Sequence, residues 1–290
     1  MFTPTELLFM LLAPVLVLFA GLGAAAWLRR GSSFWRQRPG WEGAALAVAA
    51  VVSWCALTGA LPAGDVHHRL PLIAGGIALV GLIAAPAQGA WWWSWTARVA
   101  VIVSALALVV PATSAWRGWS SAEAALWLSG LGLGWAVIVW SWERSASTAM
   151  PGLAVLSLMA ASVAGTVALA LFGSMRYPLF GGVLCSGLGV ALVAVWWRGA
   201  WFSVTNLATA AALLIPLLWY FGVYLSDLPL WSVPLLSAAG ATAWLGSLGR
   251  LRSAEPWKRL LVVALASALV VAPVLIYGVV QSIRDSSPGY

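Results

Sequence analysis

The chain has 290 residues, of which 62% are hydrophobic and 8% charged, and it carries a net charge of +7. An ordinary soluble domain carries about 25% charged residues, so water cannot be the solvent for most of this surface and lipid must be. The basic residues flank apolar stretches instead of forming one patch, which argues against nucleic acid and for the bilayer as partner.

A bilayer core needs about 20 apolar residues per helix. The sequence predicts spans over 5–28, 43–62, 70–87, 92–111, 121–142, 151–173, 178–197, 203–225, 228–248 and 258–281. The expected fold is all-α: about ten transmembrane helices in one compact bundle over 1–290, with no soluble domain.

The first stretch, MFTPTELLFMLLAPVLVLF, lacks a basic leader region and reads as a span, not a cleaved signal. The segment that follows, GSSFWRQRPGWE, mixes indoles with cations: Phe34, Trp35, Arg36, Arg38 and Trp41. Trp and Arg suit a protein interface and equally suit anionic lipid, so this is a candidate rim for partner subunits or headgroups. Between the second and third spans lies GDVHHRLP, where Asp65, His67 and Arg69 alternate and His68 sits between them. They offer a polar cluster for a phosphate or metal. A solvated turn between two helices, held by Gly64 and Pro71, is the favoured account of them.

The fourth span opens with WWWSW (91–95). Consecutive helical residues point about 100° apart, so these indoles cannot form one stacking platform. They read as an interfacial belt. On the topology below, thirteen of the 21 tryptophans fall near the cytoplasmic interface, Trp140 and Trp142 among them. The fifth span begins at Ser120–Glu123 with the spacing of a capping box, as does the first at Thr3–Glu6. The first, fifth and seventh spans also end in Gly-Leu-Gly, then Trp, then Arg. The shared needs of inward-running helices explain that recurrence without a duplication. Gly75-Gly76, Gly130-Leu-Gly132-Leu-Gly134 and Gly182-x-x-x-Ser186 predict close helix approach, and such faces suit other membrane subunits. Cys55 and Cys185 lie apart in apolar spans and read as buried thiols.

The eighth span is the most polar. Thr205, Thr209, Leu213, Pro216, Tyr220 and Tyr224 share one helical face, bordered by Asn206 and Trp219. Pro216 removes a backbone donor and frees a carbonyl. Asn206, Thr209, Trp219, Tyr220 and Tyr224 are therefore the candidate binding residues for a solute path. The competing reading is an interhelical seam.

Basic residues set the orientation. Eleven (Arg29, Arg30, Arg36, Arg38, Arg98, Arg144, Arg198, Arg250, Arg252, Lys258 and Arg259) fall on one side, and four (Arg69, Arg117, Arg176 and Arg284) on the other. The first set is cytoplasmic by the positive-inside rule. The chain is then a multi-pass protein of the cytoplasmic (inner) membrane with both termini outside. Every carboxylate falls at a span end or in a loop, which leaves an ion-coupled mechanism without its usual residue. Two adjacent loop histidines provide no haem site, and no P-loop, GxSxG, HExxH or CxxC occurs. No catalytic residue, cofactor or metal is expected. The leading expectation is a permease-like protein for an uncharged or amphipathic solute. The alternative is a non-catalytic assembly subunit of a larger membrane complex. A membrane enzyme on a lipid-linked substrate, resting on the Asp65–Arg69 cluster, is third.

Overall fold

A computed structural model describes residues 41–58, 73–77, 91–110, 118–173, 177–198 and 203–286. These residues are 92% helical with no strand. In chain order the helices are α1 (Trp41–Thr58), α2 (Trp91–Val109), α3 (Ser121–Thr148), α4 (Pro151–Leu171), α5 (Tyr177–Arg198), α6 (Val204–Leu225), α7 (Ser232–Ala241) and α8 (Pro256–Ser286). Two 3-10 turns, Thr242–Ser247 and Gly249–Ser253, join α7 to α8.

Among the described residues, α3, α4, α5, α6 and α8 are long and apolar enough to cross a membrane. Shorter apolar stretches lie in α1 (Gly43–Val52) and α2 (Ser94–Val109). The span expected at 5–28 lies outside the described residues, and of 70–87 only 73–77 is described.

The helix starts follow local chemistry. At α3 the Ser120 hydroxyl accepts from Glu123 N–H, while the Glu123 carboxylate accepts from Ser120 N–H at 2.8 Å. That is the capping box read from the sequence. At α4, Pro151 stands at the first helical position, where its missing donor is harmless.

Helix α6 is the hub. It packs against α1, α3, α4 and α5, and its apolar window is 83% buried, against 28% for α3 and 22% for α8. Its middle, AAALLIPLL (210–218), is apolar on every face, which suits a core position. Around it α4 packs most extensively on α5 and α8. Gly165 of α4 allows one of these contacts: a Cβ there would overlap the Trp219 indole nitrogen.

Two expected spans are redrawn. The fifth does not end at 142: α3 runs on through Thr148, because nothing in SWERSAST breaks a helix before Pro151. The ninth, expected as one helix over 228–248, is α7 followed by a 3-10 turn. Helix ends leave carbonyls unpaired, and here side chains take them. The Trp142 indole donates to Ser237 O (2.8 Å), the Ser157 hydroxyl to Gly240 O (3.0 Å) and the Ser145 hydroxyl to Ala241 O (3.1 Å). Trp142 is thus fully buried, not an interfacial belt residue. Trp92, Trp140, Trp196, Trp197 and Trp257 are exposed, as a belt requires.

The glycine motifs also act differently from expectation. A Cβ at Gly75, Gly76, Gly130 or Gly182 would meet nothing within 4 Å. Gly130 and Gly134 instead line an open apolar groove of about 650 Å³ between α3 and α7. Gly43 lets α1 come close to α6: a Cβ there would lie 2.8 Å from the Asn206 carbonyl oxygen.

Candidate functional site

One face of α3 carries Leu131, Trp135, Ile138, Trp142 and Ser145, stepping by four and three, and all are buried. This stripe lies on α6 and α7. It settles what the Pro216 kink does. The carbonyl that Pro216 cannot bond is that of Ala212, four residues earlier. The Trp135 indole N–H donates to it at 2.9 Å. Beside it the Tyr220 ring packs on Trp135, with centroids 5.4 Å apart, and the Tyr220 hydroxyl donates to Leu131 O at 3.4 Å.

At the start of α6 the chemistry is charged. Arg98 of α2 meets Glu143 of α3, Nη2 to Oε1, at 2.8 Å. Their side chains are only 15% and 14% exposed. The Thr209 hydroxyl donates to the same Glu143 oxygen at 2.6 Å, and it also lies 3.0 Å from Thr205 O. The Trp95 ring sits 5.1 Å from the Arg98 guanidinium, a cation–π contact. One turn before Thr209, the Asn206 amide nitrogen Nδ2 is buried with no hydrogen-bond partner. Such a group in apolar surroundings costs about 1–3 kcal/mol. Its own backbone N–H is held by the Ser203 hydroxyl that caps α6.

The sequence face therefore splits into three. Thr209 joins the charged cluster, while Asn206, one turn before it, bonds none of the cluster's members. Tyr220 belongs to the Trp135 contact in the middle of the helix, and Tyr224, one turn further, is half-buried against the core. Trp219 points elsewhere, buried against Gly165 and 6.0 Å from the Trp142 ring, so it does not share a site with Asn206.

Arg98 and Glu143 were missed as site residues: Glu143 lies towards the end of α3, but it is paired and largely enclosed there, not solvated. It lies inside a continuous helix, held between Arg98 of α2 and Thr209 of α6. The available signal was the absence of any breaker between Trp142 and Pro151. Among the described residues no group of three or more His, Cys, Asp or Glu side chains is placed to hold a metal. Asp65, His67, His68 and Arg69, and Phe34, Trp35, Arg36 and Arg38 of the rim, lie outside the described residues, as does the Trp41 side chain.

The fold and the cluster define a class: an all-helical protein with membrane-spanning helices and a buried ion pair at one end of its central helix. No known protein family, curated protein or solved structure matches the chain.

Proposed function

We propose that the chain is a permease-like protein of the inner membrane with about ten spans, admitting an uncharged or amphipathic solute. In this reading the Arg98–Glu143–Thr209 cluster is a polar lock at the cytoplasmic end of α6, and Asn206 contacts the solute. One observation carries it: an ion pair buried across α2, α3 and α6 stands beside a buried amide donor with no partner. Ionisable groups inside a membrane bundle mark solute or ion paths, and an orphaned donor offers a hydrogen bond to an incoming carbonyl or hydroxyl. The eleven-to-four excess of basic residues supports the assignment of this end to the cytoplasm.

The test is a thermal-shift screen of uncharged and amphipathic solutes on the purified protein, followed by counterflow of any hit in proteoliposomes. A true solute raises the midpoint of the wild type and not that of Asn206→Leu, and it is transported only by the former. A shift and transport that survive unchanged in Asn206→Leu would sink the assignment of this site.

A second reading, an assembly subunit, has its own support. In the middle of α6 the kink carbonyl and Tyr220 bond within the bundle, as does Thr209 nearer its start. The Gly130–Gly134 groove opens outward and is apolar. Extraction in mild detergent distinguishes the two, because this reading requires another membrane protein at fixed stoichiometry.

A further inference from the structure

We propose that the cavity at the far end of the bundle, opposite the Arg98 cluster, binds an organic ammonium group between Asp227 and the aromatic side chains beside it. The cavity, of about 750 Å³, is formed by the end of α4, the turn after α6 and the last turns of α8. Its lining includes Phe172, Asp227, Tyr277, Gln281 and Ser282, with one carboxylate and no basic side chain.

Among the described residues, Asp227 presents an unpaired carboxylate at this end of the bundle. Its φ is +54°, in the left-handed region that favours glycine and, after it, asparagine and aspartate. It follows the last turn of α6, whose unpaired carbonyls make that pole negative. It is exposed, and no basic side chain among the described residues pairs with it. A carboxylate in that position is stabilised by a cation from outside.

The neighbouring rings specify which cation. Tyr277 stacks on Phe172, with centroids 6.0 Å apart and planes at 28°, and meets Trp231 edge-on at 5.5 Å. Tyr277 and Trp231 remain 44% and 45% exposed, and Tyr277 lines the cavity beside Asp227. Aromatic faces attract alkylated ammonium groups, whose methyls are poorly hydrated. A lone carboxylate beside aromatic rings is a poor site for a metal ion, which needs several oxygen or nitrogen donors. Gln281 and Ser282 add hydrogen-bonding groups at the rim for whatever the ammonium is attached to. A choline-type headgroup of a lipid and a dissolved amine share this chemistry.

The test uses the full-length protein in nanodiscs of phosphatidylglycerol, which carries no amine, titrated with choline by calorimetry. Saturable binding is expected, weakened at least tenfold in Asp227→Asn and in Tyr277→Leu and unchanged in Asn206→Leu. Asparagine tolerates the same backbone angle, so the thermal midpoint of Asp227→Asn should stay near that of the wild type. Repeating the titration in phosphatidylcholine nanodiscs separates the sources. Suppressed choline binding, with one phosphatidylcholine retained in native mass spectrometry, identifies a lipid headgroup. Undiminished binding identifies a dissolved amine. Equal choline affinity in wild type and Asp227→Asn overturns the proposal. So does the absence of both choline binding and phosphatidylcholine retention.

Discussion

The indole of Trp135 makes the hydrogen bond that Pro216 cannot. Its Nε1–H reaches the Ala212 carbonyl at 2.9 Å, where the backbone N–H of a non-proline residue 216 would have donated. Trp135→Phe removes the donor, together with part of a buried ring, and leaves a buried carbonyl unpaired. The expected loss is about 1–3 kcal/mol, nearer the low end if the membrane average of about 0.6 kcal/mol per interhelical bond applies. With Pro216→Ala present, the backbone supplies its own donor, and the same Trp135→Phe change should cost measurably less. Strictly additive effects of the two substitutions on the denaturation midpoint would show that the two residues are not coupled.

The Arg98–Glu143 pair predicts an asymmetry. Glu143→Leu strands a guanidinium that is largely buried, at a cost of about 3–5 kcal/mol. Adding Arg98→Met removes the stranded charge and should recover most of that stability. Midpoints in detergent decide it: a double variant no more stable than Glu143→Leu alone would mean that Glu143 acts through Thr209 and not through Arg98.

Gly165→Ala drives a methyl into the Trp219 indole. Overpacking of this kind costs about 1–3 kcal/mol. The smaller ring of Trp219→Phe should relieve much of it. If Gly165→Ala alone leaves the midpoint unchanged, α4 and α6 are further apart than the structure places them.

Opposite ends of the bundle should label from opposite sides of the membrane. Ser253 follows the 3-10 turns beside the start of α8, and Ser282 lies near its other end. In a background with Cys55→Ser and Cys185→Ser, an impermeant maleimide added to intact cells should modify Ser282→Cys and spare Ser253→Cys. The reverse pattern would invert the orientation. Labelling of both would show that α8 does not cross the bilayer.

Much of the fold was legible because apolar length and helix caps are local properties. The Ser120–Glu123 cap, the Pro151 start and the bounds of α4, α5 and α6 follow within a few residues. Composition gave no sign that the ninth span breaks at Thr242, because the side chains that make the break tolerable sit on α3 and α4, far away in sequence. Thr209 and Asn206 were legible as a polar start to a long apolar helix. Glu143, which Thr209 bonds, was not, since a carboxylate next to Arg144 near the end of an apolar run looks solvated until α2 and α6 are seen to enclose it. Trp219 failed as a site residue because one helical face at a kink meets several neighbours, and the face it occupies is turned to α4.

The two indole bonds of α3 also impose an order on biogenesis. Trp135 is separated from its acceptor by 77 residues and Trp142 by 95, both acceptors lying later in the chain. At about 5–20 residues per second, the ribosome delivers Ala212 roughly 4–15 s after Trp135. Throughout that interval α3 exists with two indole donors and no receiving helix. Until α6 emerges, α2 is its earlier neighbour, through the Arg98–Glu143 pair, and its two indole bonds close only when α6 and α7 are made. Truncations ending before residue 232 should therefore leave α3 loosely inserted, so the nascent chain commits to its final arrangement late, from its C-terminal third.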